Sequence, residues 1–76
     1  MENNTMKNTY FVHWRSTSVI TDNIDVVLAI FNMAKDDLSS FELHTTNSMI
    51  SGDYLQYLVE SVEPEELEEE ILKIKN

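Results

Sequence analysis

Residues 10–38 read YFVHWRSTSVITDNIDVVLAIFNMAKDDL, and the hydrophobic period changes partway along them. From Tyr10 to Ile20 the side chains are largely aromatic and β-branched. Tyr10, Val12 and Trp14 alternate there with Phe11, His13 and Arg15. Period two predicts a strand, because successive side chains of an extended chain point to opposite faces. Its more apolar face, Val12 and Trp14, is expected to turn inward. Past Thr21 the pattern becomes Ile24, Val27, Leu28, Phe31, Ala34 and Leu38, the stripe of an amphipathic helix. Thr21 and Asp22 supply an N-cap, and Asp25 places an acid in the first turn. The helix is expected to end near Leu38, before Ser39-Ser40.

Downstream, Phe41, Leu43 and Thr45 alternate with Glu42, His44 and Thr46 and predict a second strand. Asn47-Ser48 and Ser51-Gly52-Asp53 carry turn chemistry, with Gly52, the single glycine, expected at positive φ. Residues 54–62 satisfy two periods. Leu55, Tyr57 and Val59 alternate as in a strand, while Leu55, Leu58, Val59 and Val62 fit a helix; the aromatic and β-branched content favours the strand. Pro64 suits a first helical position after an N-cap at Glu63, and Leu67, Ile71 and Ile74 form the stripe of a last helix. Acids early and lysines late in that helix match its macrodipole. The reading is an α+β fold, a small β-α-β-β-α domain with helices packed on one face of a short antiparallel or mixed sheet. Residues 1–8 are expected to be a disordered N-terminus, and residues 9–76 a single acidic domain.

Seventy-six residues make at most one domain with a thin stability margin, and the absence of cysteine excludes disulfides and thiolate metal sites. A hydrophobic content of 42% is enough for a packed core. Fourteen acids against five bases give a net charge of −9, which repels nucleic-acid phosphates and anionic membrane surfaces and selects basic partners. No apolar run is long enough for a transmembrane helix and the first residues are polar, so a cytoplasmic location is expected.

Catalytic chemistry has little to draw on. Two histidines, His13 and His44, fall on predicted strands, no serine occupies a nucleophile elbow, and one glycine cannot build a phosphate loop. The glutamates of a helix diverge around its cylinder rather than converging on a cation, and residues 47–53 lack the ligand pattern of a calcium loop. The sequence therefore predicts no enzyme, no cofactor and no metal site.

The acids themselves are unevenly placed. Between Asp36 and Leu72 there is no lysine or arginine, while eleven acids occur, among them Asp36, Asp37, Glu60, Glu63, Glu65, Glu66, Glu68, Glu69 and Glu70. These nine are the candidate partner-binding residues. Glu65–Glu69 and Glu66–Glu70 are like-charge pairs at i,i+4, each unfavourable by a few tenths of a kcal/mol. Six glutamates within residues 63–70 span ~12 Å of helix, about one charge per 2 Å, against about one per 1.7 Å in duplex DNA. A glutamate-rich helix face is also a common solubilising device, and the charge alone does not separate the two roles.

With its Glu63-Pro64-Glu65-Glu66-Leu67-Glu68-Glu69-Glu70 run, Asp36-Asp37 and Glu60, the chain resembles the small acidic proteins that bacteriophages make during host takeover, many of them DNA mimics. In size, charge and order of elements it is most similar to the Bacillus-phage inhibitors of the histone-like nucleoid protein HU. That resemblance implies an acidic homodimer that occupies the DNA-binding surface of a basic bacterial protein. The competing expectation is a non-enzymatic, antitoxin-like interaction module held by apolar contacts, for which Met33, Met49, Ile50, Tyr54 and Tyr57 are the candidates. Any dimer is expected to form through a strand edge or the apolar side of a helix, since burying unpaired carboxylates is costly.

Overall fold

In a computed structural model that describes residues 8–75, the chain forms four strands and three α-helices. The strands are β1 (Tyr10–Trp14), β2 (Thr17–Thr21), β3 (Phe41–His44) and β4 (Met49–Ser51); the helices are α1 (Ile24–Met33), α2 (Gly52–Ser61) and α3 (Pro64–Lys73). A 3-10 turn, Leu38–Ser40, precedes β3. The sheet is antiparallel throughout, in the order β2-β1-β3-β4. The α+β class and the stacking of helices on one sheet face agree with the sequence. The element order, β-β-α-β-β-α-α, differs from the expected β-α-β-β-α. The expected disordered segment 1–8 lies, apart from Asn8, outside the described residues.

The expected single strand from Tyr10 to Ile20 is a hairpin. Trp14 pairs with Thr17, leaving Arg15 and Ser16 as a two-residue loop, and Arg15 takes φ 56°. Tight hairpin loops need positive φ to match strand twist, and asparagine or glycine usually supplies it. An arginine there gives no signal in the sequence, so the turn is invisible to pattern reading.

Helix α1 is capped by Asn23, not by Thr21 or Asp22: its side chain accepts the Asp25 N–H at 2.8 Å, while the Thr21 hydroxyl accepts the Asn23 N–H at 3.0 Å. The helix stops at Met33 rather than near Leu38. The Ala34 N–H bonds both the Ile30 and Phe31 carbonyls, and the Asp37 N–H then bonds Ala34, turning the chain toward β3. Strand β3 ends at His44, short of the expected Thr46. The Thr45 hydroxyl accepts the N–H groups of Asn47 and Ser48, each at 3.1 Å, and that side-chain bonding competes with the ladder.

Residues 54–62 are helical, correcting the strand expectation. Ser51 caps α2 by accepting the Tyr54 N–H at 3.2 Å, and Leu55 and Leu58 are buried at helical spacing. A strand would have aligned Tyr57 with Leu55, yet Tyr57 is 58% exposed. The β-branched and aromatic residues of this segment cover solvent-facing positions, where β propensity carries little weight. Gly52 does not adopt positive φ; it is the first residue of α2. It is needed for space, since a Cβ would lie 2.4 Å from the Leu38 carbonyl oxygen and 3.1 Å from Phe41 Cβ.

Between sheet and helices lie Val12, Phe41, Leu43 and Ile50 from the strands, Val27, Ile30 and Phe31 from α1, Leu55 and Leu58 from α2, and Leu67 and Ile71 from α3. Phe31 meets Phe41 edge-on at 5.5 Å. Full burial of such side chains stabilises by about 1.5–3 kcal/mol each before entropy is counted. Trp14, expected on the inner face, is half-buried. Its indole N–H is enclosed without an acceptor among the described residues, and the Arg15 guanidinium stacks 4.7 Å from the ring centre.

Candidate partner-binding surface

Helix α3 is positioned by Pro64 at its start and by Leu67 and Ile71, which face the core. Successive residues of an α-helix turn by about 100°, so Glu65, Glu66 and Glu69 fall opposite that apolar stripe. All three are exposed, as is Glu63 just before the helix. None of these four carboxylates has a side-chain hydrogen bond or ion pair with another described residue. They form a ridge with about one carboxylate per 2–3 Å of helix axis.

The other candidates are engaged. The Tyr10 phenol donates to Glu68 Oε2 at 2.5 Å, which fixes Glu68 on the flank of α3. Lys73 Nζ donates to Glu70 Oε2 at 3.2 Å, and this bond, with the charges of Glu70 and Glu69, holds the lysine pKa above its usual value. Gln56 Nε2 donates to Glu60 Oε2 at 3.1 Å, one turn along α2. Arg15 Nε donates to Asp37 Oδ2 at 2.8 Å, and chiefly through that bond the carboxyl is held below its usual range.

The nine candidates divide into two groups. Glu68 is tied to Tyr10 at the start of β1, whereas Asp37 is tied to Arg15 just past its end. Five residues of extended chain, ~17 Å, separate these two anchors. Glu60, three residues before Glu63, belongs with α3, whereas exposed Asp36 and half-buried Asp37 stand at the opposite end of the sheet.

The outer sheet face carries side chains that the sequence did not single out together. Register aligns Ile20, Phe11, His44 and Met49 in one row across all four strands. Ile20 is 73% exposed, Met49 46% and Phe11 37%. The Phe11 ring stacks on His13 at 6.5 Å and tilts against His44 at 5.6 Å. His13 Nδ1 lies 2.9 Å from Ser18 Oγ, and His44 Nε2 lies 3.2 Å from Glu42 Oε1. Among the described residues no three His, Asp or Glu side chains converge as metal ligands.

Concavities border α3 among the described residues. A shallow one of about 480 Å³ is lined by Asn8, Glu65, Glu68, Glu69, Leu72 and Lys73. A more enclosed groove of about 260 Å³ runs between the start of α1 and the α2–α3 junction. Ile24, Leu28, Val59, Val62 and Leu67 make its apolar lining, with Asp25 and Glu68 also on its walls. Among the described residues no helix is long and apolar enough to cross a membrane. Comparison with protein-family models, with curated proteins and with solved structures yields no match.

Proposed function

We propose that the protein is a non-enzymatic, acidic DNA-mimic inhibitor. It binds a basic bacterial DNA-binding protein, with nucleoid protein HU as the first candidate, and blocks the DNA-binding surface in the bacterial cytoplasm. The observation that carries this reading is the ridge of Glu63, Glu65, Glu66 and Glu69, four exposed carboxylates that make no side-chain hydrogen bond or close ion pair among the described residues, with Lys73 the base whose charge reaches Glu69 and Glu66. Their spacing approaches the charge density of duplex DNA. A basic groove that accepts phosphates at that spacing accepts this helix, releasing its own counterions as it does so. Asp36 and Asp37 lie outside this ridge, at the other end of the sheet beside Arg15. A gel shift of HU on duplex DNA at low salt tests the proposal: the protein should release the DNA, and less effectively as salt rises. HU that keeps its DNA at saturating protein and low salt would refute it. A second copy would meet the first through β2, an edge strand with neither charge nor proline, and light scattering during size exclusion reads that association.

The apolar row Ile20–Phe11–His44–Met49 favours a second reading, an interaction module held by apolar contacts. Met33 and the stacked pair Tyr54–Tyr57 are exposed as well, whereas Ile50, grouped with them from sequence, is a core residue. Binding that persists in ~0.5 M salt, where exposed charges are screened, would favour this module over the mimic.

A further inference from the structure

We infer that the groove between α1 and the α2–α3 junction takes up an aliphatic side chain of a basic protein segment, anchoring the partner that the α3 ridge attracts. The inference rests on the reading that the partner is basic, and it names the contact that adds shape selection to charge. At about 260 Å³ the groove is below the ~300–1,000 Å³ of small-molecule pockets and suits one or two side chains. Its lining is apolar: Ile24 and Leu28 from α1, Val59 and Val62 at the end of α2, and Leu67 from α3.

Charge selects the occupant. Asp25 and Glu68 border the groove. The first turns of α1 and α3 line it as well, through Ile24, Asp25 and Pro64, and each helix N-terminus contributes roughly half a positive charge. Two carboxylates against about one positive charge leave the mouth negative. A bare apolar ligand gains nothing from that field. A segment that places leucine or isoleucine beside lysine or arginine buries its apolar side chain in the groove and keeps its cation at the rim. Glu68 is prepared for this role, because the Tyr10 phenol holds Oε2 and so fixes the carboxylate before any partner arrives. Glu68 also borders the shallow cleft beside Glu65 and Glu69, so groove and ridge are continuous.

The test uses the full chain and two synthetic peptides of equal charge, an amphipathic leucine–lysine helix and a sister with serine in place of every leucine. Methyl NMR on the protein should show the leucine peptide shifting Ile24, Leu28, Val59 and Leu67 and binding about tenfold more tightly than the serine peptide. Val59→Gln, at a partly exposed position, should remove that difference while circular dichroism shows the fold intact. Equal binding of the two peptides, with shifts confined to α3, would overturn the groove and leave the electrostatic mimic standing. Failure of both peptides to bind would overturn it too. So would a dimer lost on Val59→Gln, which would assign the groove to a second copy. Loss of HU competition with the peptide preference retained would sink only the choice of HU.

Discussion

The phenol of Tyr10, the first residue of β1, donates a 2.5 Å hydrogen bond to Glu68 of α3, 58 positions later in the chain. Tyr10 is fully buried, so this bond joins the core side of the sheet to the acidic helix. Removing the hydroxyl leaves the half-buried carboxylate without its donor. Tyr10→Phe is expected to lower stability by about 1–2 kcal/mol, read from urea unfolding, and to broaden the α3 amide signals.

The same bond predicts an alkaline limit. Burial first, and Glu68 second, raise the Tyr10 pKa above its ordinary 10.0. The folded form therefore holds this proton more tightly than the unfolded chain. Its contribution is complete below about pH 10 and falls away as pH rises toward the raised folded value. The urea midpoint of the native protein should drop above about pH 10 more steeply than that of Tyr10→Phe. Parallel profiles for the two proteins would contradict this.

Gly52→Ala is expected to destabilise by about 1–3 kcal/mol, although alanine is ordinarily the better helix former by ~1 kcal/mol. The added methyl would collide with the backbone oxygen of Leu38, and backbone cannot rotate aside as a side-chain end can. Thermal unfolding against the parent protein measures it.

Replacing Glu65, Glu66 and Glu69 together with glutamine should separate binding from folding. The Glu65–Glu69 repulsion disappears, but so does the favourable placement of acids in the first turn of α3. The two effects oppose each other, and the melting temperature should move by no more than about 3 °C. Competition with DNA for HU should weaken strongly, and its dependence on salt should flatten. Competition unchanged by the triple substitution would remove the ridge from the binding surface.

Ile20→Thr addresses the outer sheet face. At 73% exposure the isoleucine adds little to the core, so the fold should be unaffected. If the apolar row binds a partner, the fraction of binding that survives ~0.5 M salt should fall with this change. A salt-resistant fraction left intact would clear the row of that role.

The α+β class was legible because two periods follow one another between Tyr10 and Leu38, and α3 because Pro64 and the Leu67–Ile71 stripe agree. The hairpin was not legible, since Arg15 stands where a turn residue is usual. Helix α2 was misread because its exposed face carries Tyr54, Tyr57 and Val59, which imitate a strand in composition. The candidate acids could be found from sequence, and Lys73 one turn from Glu69 and Glu70 is a local partner, but the long-range partners could not. Arg15–Asp37 and Tyr10–Glu68 are contacts between distant parts of the chain, and no local pattern announces them.

Among the described residues, Glu42 is the one acid whose side chain belongs to the outer sheet face, and His44 stands against it. The remaining described acids sit on the helices and the loops beside them. Such a molecule has a front and a back. A charged surface exerts a torque on it as well as a pull, beginning at separations of about a Debye length, ~8 Å at physiological salt. Toward positive charge it turns helices foremost. Encounters are thus sorted by orientation before any atoms touch, and the row from Ile20 to Met49 is left facing outward into the solvent.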